Sequence, residues 1–299
     1  MTLTSADRVR WAGVALVAAS ALCWSSAGFF VRMVDVDVWS IVAWRSLFAG
    51  LVLAVAAALR GRRSGSRMGA SGWFAATLVA SASMAYIGAL TLTTVANVLL
   101  IYACLPLVAA AMARFFLGES LSARVMVAGL MCLVGVAMVV GQSSTEGSVL
   151  GSGLAMLMTA SFAGLLTVVR RSPGVDIVTV NAIGCFLSAL VAFPLMRQQV
   201  PSPADLLTLA MLGVFAMALA FLLFLEGGRR IGAGEAGLVS LLDVVLGPLW
   251  VWLAFNEVPG GGAVAGGVLI LAALVWYLHG AKAAAAQVSA VGRHEERRS

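Results

Sequence analysis

Apolar side chains run along this chain in blocks of about 20 residues, and short segments between the blocks hold nearly all of the charge. A helix rises ~1.5 Å per residue, so each block is long enough to cross a hydrocarbon core about 30 Å thick. The blocks fall at 12–31, 38–59, 70–90, 95–115, 122–141, 151–170, 175–196, 204–226, 234–254 and 261–281. Backbone polar groups in lipid must be satisfied within their own segment, so the pattern predicts an all-α polytopic membrane protein with ten transmembrane helices.

The pattern is also duplicated. Ala89–Glu119 returns in altered form at Gly227–Glu257, an offset of 138 residues. The same offset, with no gap, pairs Trp24 with Phe162, Arg32 with Arg170, Tyr86 with Phe224, Ala96 with Gly234, Glu119 with Glu257 and Gly129 with Gly267. Each copy of the hairpin opens on a turn of small residues, crosses an apolar run interrupted by Pro106 or by Gly247 and Pro248, and stops at a glutamate. Five helices per copy gives repeats at 1–145 and 146–283, followed by a polar tail at 284–299.

Composition removes the competing classes. With 62% hydrophobic and 11% charged residues in 299, and a mean hydropathy of +1.02, there is too much apolar side chain for a soluble interior. The net charge of +6 comes from basic residues in ones and twos between spans, without the basic helix or aromatic interleaving that nucleic-acid binding requires. Cys23, Cys104, Cys132 and Cys185 each lie inside an apolar block with no CxxC spacing, as small core residues do. His279 and His294 stand far apart, so neither a metal nor a cofactor is expected. There is no phosphate-binding loop and no nucleophile–base constellation, so the chain reads as no enzyme. The N-terminal block resembles a signal peptide, yet its repeat partner is internal, so it is read as an uncleaved first helix.

Charge sets the orientation. Sixteen Lys and Arg fall at the N-terminus, in the even-numbered connections and in the tail; only Arg32 and Arg197 fall on the other side, and Arg45 lies within a span. That bias places both termini in the cytoplasm, and a bacterial inner membrane is the expected location. An odd number of helices per repeat then inverts the second copy relative to the first, so two inverted five-helix repeats are expected. Secondary transporters recurrently use this plan to expose one midplane site alternately to each side.

The residues that carry the duplication also carry a resemblance. The small residues and Trp24 of the first span, Arg45 in the second, the small turn before the fourth, Pro106 followed by Gly118–Ser120, Arg229–Ala236 and the Asp243–Glu257 segment resemble the drug/metabolite transporter superfamily, with two EamA-type repeats. Within it the chain resembles bacterial exporters of aromatic and other neutral amino acids. It departs from many members in carrying Asp243-Val244 where a Glu-Pro pair is usual, with its proline at 248. The resemblance implies that the first, third, fourth, sixth, eighth and ninth spans surround the cavity, and that the second lies toward the outside of the bundle.

Candidate residues follow. Trp24, Ser25, Tyr86, Asn97, Tyr102, Ser161, Phe162, Phe221, Phe224 and Ser240 sit on the cavity-forming spans, and Tyr and Trp offer an apolar wall with one polar handle; ordinary packing is the alternative for each. Pro106, Gly247 and Pro248 are helix-break candidates, either gating hinges or packing kinks. Asp243 lies about 12 Å into the ninth span. An acid there costs about 3 kcal/mol unless paired or hydrated, so it either binds a substrate ammonium, carries a proton or fixes the kink. Arg45 reads as a structural charge anchored on carbonyls or snorkelling, with a carboxylate clamp as the second reading. Trp39, Trp44, Trp73, Trp250, Trp252 and Trp276 fit interface anchoring or packing. The glycines at 129, 135, 141, 262, 266 and 267 fit close helix packing, within the chain or between two chains.

Together these residues predict an exporter of neutral amino acids or similar small amphiphilic metabolites, working by alternating access in the lipid bilayer as a monomer or homodimer. A carrier of cationic amphiphiles, purines or sugar-linked metabolites is the alternative, and a non-transporting scaffold or intramembrane enzyme is disfavoured.

Overall fold

A computed structural model describes residues 5–60, 68–118, 123–141, 146–172, 174–197, 201–231, 236, 239–240, 242–258, 260–262, 264–273 and 275–276. Glu119, Ser120, the second turn from Gly232 to Glu235, the repeat boundary at 145, the end of the tenth span and the tail lie outside the described residues.

The described elements are helical and follow the predicted blocks. They are α1 (Ser5–Ser25), α2 (Ala27–Met33), α3 (Val38–Leu59), α4 (Ala70–Leu92), α5 (Val95–Tyr102), α6 (Leu105–Leu117), α7 (Ala123–Gly141), α8 (Glu146–Arg171) and α9 (Ile177–Ala192). A single 3₁₀ turn at Phe193–Leu195 extends α9. The eighth block comprises α10 (Pro203–Gly213), a π-helical segment at Val214–Leu219 and α11 (Ala220–Gly228); α12 (Leu242–Phe255) and α13 (Val264–Ala273) follow. Among the described residues, six helices are long and apolar enough to cross a membrane, or seven if α5 and α6, bent by 41°, form one span. The remaining apolar helices, in the fifth, ninth and tenth blocks, are shorter there.

Polar residues explain where several elements begin and bend. Asp37 caps α3 by accepting from the amides of Trp39 and Ser40, and Asp176 caps α9 by accepting from those of Val178 and Thr179. These two caps are equivalent, yet they lie 139 residues apart. The gap-free offset of 138 therefore slips by one residue in this stretch. Thr94 caps α5, and Ser202 with Asp205 forms a capping box on α10. In the first span the hydroxyls of Ser25 and Ser26 donate back to the carbonyls of Leu22 and Cys23, at 2.8 and 2.6 Å. Such bonds compete with the helix ladder and coincide with the turn between α1 and α2. α6 ends on Gly118, whose φ of 72° is the left-handed conformation glycine adopts readily.

The expected break at Gly247–Pro248 is not present: α12 continues as helix through Pro248. Proline lacks an N–H, so the carbonyl of Val244 loses its helical partner while the helix goes on. Gly247 has another reason to be small, because a Cβ there would meet the side chain of Leu99 on α5. In the fourth block the chain does turn, at Ala103–Cys104, with Pro106 in the first turn of the next helix.

Many large apolar side chains lie on the outside, and alanines lie beside buried residues such as Ile41, Leu90 and Leu209 inside. Leu59 and Phe115 are each 83% exposed, while Ala43, Ala49, Ala75, Ala155 and Ala163 are fully buried. Without a hydrophobic force between helices in lipid, close packing of small faces supplies the attraction. A Cβ on Gly135 of α7 would come within 2.8 Å of the Gly266 carbonyl beside α13, and one on Gly184 within 2.9 Å of the Ala76 carbonyl of α4.

The two halves exchange helices. α4 packs on α8 as its counterpart α11 packs on α1; α6 packs on α8 as α12 packs on α1; α3 packs on its own counterpart α9. The ends also sort. Gly13 lies against Arg230 and Ile231, putting the N-terminal basic residues with the α11 arginines. Gly151, near the start of α8, lies against Thr93 at the opposite end.

Candidate functional site

The side chains of interest gather where α12, from the second half, meets the first. Asp243 lies in the first turn of α12, is 7% exposed, and its Oδ1 has no hydrogen-bond partner. Tyr86 of α4 and Tyr102 at the end of α5 both lie within electrostatic reach of that carboxylate. Arg45 of α3 is also a neighbour of Tyr86, its guanidinium carbon 6.0 Å from the ring centroid. Tyr102 makes an edge-to-face contact with Phe162 of α8, centroids 5.8 Å apart. The group draws on α3, α4 and α5 from one half and α8 and α12 from the other.

Arg45 is 3% exposed. Its Nη2 donates to the carbonyl of Ser83 at 3.3 Å and to the Ser83 hydroxyl, while its Nε has no partner. Carbonyl anchoring is thus seen and snorkelling is not, and the arginine points into the bundle even though the second span was expected toward its outside. Gly213, at the entry to the π-helical segment, explains the fit: a Cβ there would strike the Arg45 carbonyl, so only glycine lets the eighth span approach α3 so closely.

A second aromatic pair lies between α1 and α11, where Trp24 meets Phe224 at 5.3 Å. Next to Trp24, the Ser25 hydroxyl accepts a hydrogen bond from Trp250 Nε1 at 3.0 Å. Trp250 follows Asp243 by seven residues, two helical turns, so both occupy one face of α12. Trp250, expected as an interface anchor or a packing residue, ties α12 to α1.

The remaining candidates are employed elsewhere. The Asn97 side chain donates to Thr93 Oγ1 at 3.1 Å, serving the first turn of α5. Ser161 meets Ser81 at 3.3 Å and joins α8 to α4. Phe221 packs against a separate apolar cluster around Ala49, Leu53, Val178 and Ala182. The Ser240 hydroxyl donates to the Ala236 carbonyl one turn back, at 2.8 Å. The four cysteines are buried free thiols.

Sequence reasoning gave no role to the tightest contact between halves. At the end of the bundle where α2 and α4 finish and α5 begins, Arg32 Nε donates to Glu257 Oε2 at 2.9 Å. The same guanidinium donates to the carbonyls of Leu90, at 2.6 Å, and Thr93, at 3.1 Å, and Glu257 Oε1 accepts from the Val95 amide at 3.1 Å. This clasp satisfies carbonyls at the end of α4 and a donor at the start of α5. The available signal was that Arg32 is one of two basic residues on its side and that both members stand at repeat landmarks. Opposite, Arg229 and Arg230, just past the end of α11, pair among the described residues with Glu226 of that helix, at 3.3 and 2.9 Å.

A duplicated helical bundle with an apolar exterior and a buried polar cluster between its halves is the architecture of a polytopic membrane transporter. Residues 11–141 and 149–278 each match the EamA-like transporter family, and the chain belongs to that family. A solved structure, described only as a crystal structure of a protein, resembles the chain with a TM-score of 0.65 at 21% identity, over 90% of this chain and 97% of its own; it shows a shared fold. No curated protein matches the chain.

Proposed function

We propose that the chain is a secondary transporter, not an enzyme, that exports neutral amino acids, aromatic ones included, or similar small amphiphilic metabolites. In this reading ten helices form two inverted five-helix repeats, at 1–145 and 146–283, in a bacterial inner membrane with both termini cytoplasmic. The exchanged helix packing and the sorting of basic residues to one end support the arrangement.

One observation carries the substrate reading: a buried carboxylate with an unpartnered oxygen, Asp243, lies within electrostatic reach of two tyrosines. A buried acid is costly unless a cation or proton joins it, and the neighbouring rings provide apolar walls for a side chain. Alternating access follows if the Arg32–Glu257 clasp closes one mouth while the other is open. Purified protein in liposomes should exchange labelled neutral amino acids down a gradient, and Asp243→Asn should reduce the rate at least tenfold. Exchange of none of them sinks the substrate assignment. The same carboxylate also fits a carrier of cationic amphiphiles; that reading wins if a lipophilic cation exchanges and amino acids do not.

A further inference from the structure

Two buried groups of opposite charge in this bundle each keep an unused atom and do not pair with each other. Asp243 is 7% exposed with Oδ1 unpartnered, and Arg45 is 3% exposed with Nε unpartnered. Both have Tyr86 as a neighbour. The Arg45 guanidinium lies 6.0 Å from the Tyr86 centroid, and Tyr86 is within electrostatic reach of Asp243.

Buried charges normally neutralise one another or are neutralised by a hydrogen-bonded partner, because the cost of desolvating an isolated ion is several kcal/mol. The Ser83 carbonyl and hydroxyl satisfy part of the Arg45 fork, but neither carries a compensating charge. An acid and a base that share a tyrosine neighbour without pairing with each other are therefore complementary to a ligand that is itself dipolar. An ammonium has three donors for a carboxylate, and a guanidinium edge matches a carboxylate's two oxygens. An anion alone would leave Asp243 uncompensated, and a cation alone would leave Arg45 so.

We infer that Asp243 and Arg45 are the two poles of a binding site for an α-amino-acid zwitterion, the ammonium on Asp243 and the carboxylate on Arg45, with Tyr86 as the neighbour they share. This rests on the reading of the chain as an amino-acid carrier and adds to it the feature that selects the ligand. The side chain of the amino acid lies toward Tyr102 and Phe162, whose edge-to-face pair forms an apolar wall. The site then rejects molecules that share the side chain and lack either charge.

The test uses the purified full-length protein, with L-phenylalanine, phenethylamine, which lacks the carboxylate, and 3-phenylpropionate, which lacks the ammonium. Binding is followed by calorimetry and exchange by counterflow in liposomes. Unmodified protein should bind L-phenylalanine at least 10- to 100-fold more tightly than either analogue, the difference expected for losing one charge-assisted pair. Arg45→Gln should narrow the gap to phenethylamine and Asp243→Asn the gap to 3-phenylpropionate, each in its own direction. Binding of either analogue by the unmodified protein as tightly as L-phenylalanine overturns the proposal, whatever the variants do. Selective binding without exchange supports the two poles and overturns the carrier reading alone; exchange without selectivity does the reverse. Neither binding nor exchange overturns both.

Discussion

Replacing Glu257 by glutamine keeps the side chain's size and removes the charge on which the clasp depends. The glutamine oxygen can still accept from the Val95 amide, but its other terminus becomes an NH₂ facing a guanidinium that needs an acceptor. Hydrogen bonds to charged groups contribute about 1.5–3 kcal/mol when buried, and exposed ion pairs about 0.2–1 kcal/mol. The two side chains are 26% and 22% exposed, between those limits. The substitution should therefore cost the closed state about 1–2 kcal/mol, shifting the balance toward opening at this end by a factor of about 5–30. Spin labels on cysteines replacing Thr91 and Val258, both exposed beside the clasp, report the change as a larger long-distance population in pulsed electron resonance. Glu226→Gln is the control, since its arginine partners lie just past the end of its own helix. An unchanged distribution in Glu257→Gln, with the protein still folded, means that the clasp does not hold the halves together and that the reasoning fails. A charge swap, Arg32→Glu with Glu257→Arg, should not restore closure, because it sets a carboxylate against the Leu90 and Thr93 carbonyls.

Two further predictions concern stability. Gly213→Ala should lower the melting temperature by several degrees, because the new methyl meets the backbone of Arg45 and Ala49, which cannot swing aside; overpacking of this kind costs about 1–3 kcal/mol. A thermal-shift measurement in detergent decides it, and an unchanged midpoint would show that the eighth span can move off α3. Asp37→Ala and Asp176→Ala should each cost about 1 kcal/mol as lost helix caps, with the double variant additive in chemical denaturation.

Most of the helix framework was legible because apolar blocks respond to one strong demand, backbone satisfaction in lipid. The second block, for example, is helical over Val38–Leu59, where it was expected. The one-residue slip between repeats was hidden because apolar residues align equally well in either register; only the acidic caps fix it. Pro248 misled because proline's effect depends on its surroundings, and the packing of α12 on α5 carries the helix past it. At the site, Asp243 and Arg45 announced themselves as charges in apolar runs. Ser83, which anchors the arginine, carried no such signal, since serines are common among small-residue helix faces. The Arg32–Glu257 pair spans 225 residues, and no local pattern encodes which of several charges will meet.

The exchange of helices between halves has a consequence for how the protein is made. α1 leaves the ribosome well before α11 and α12, yet these are its main neighbours. At 5–20 residues per second, the roughly 200 residues between α1 and α11 take about 10–40 s to synthesise. Throughout that interval the small, serine-bearing face of α1 has only lipid or provisional neighbours against it. α1 thus finds its permanent place only once α11 and α12 have followed it, so errors in those later helices should be felt at α1.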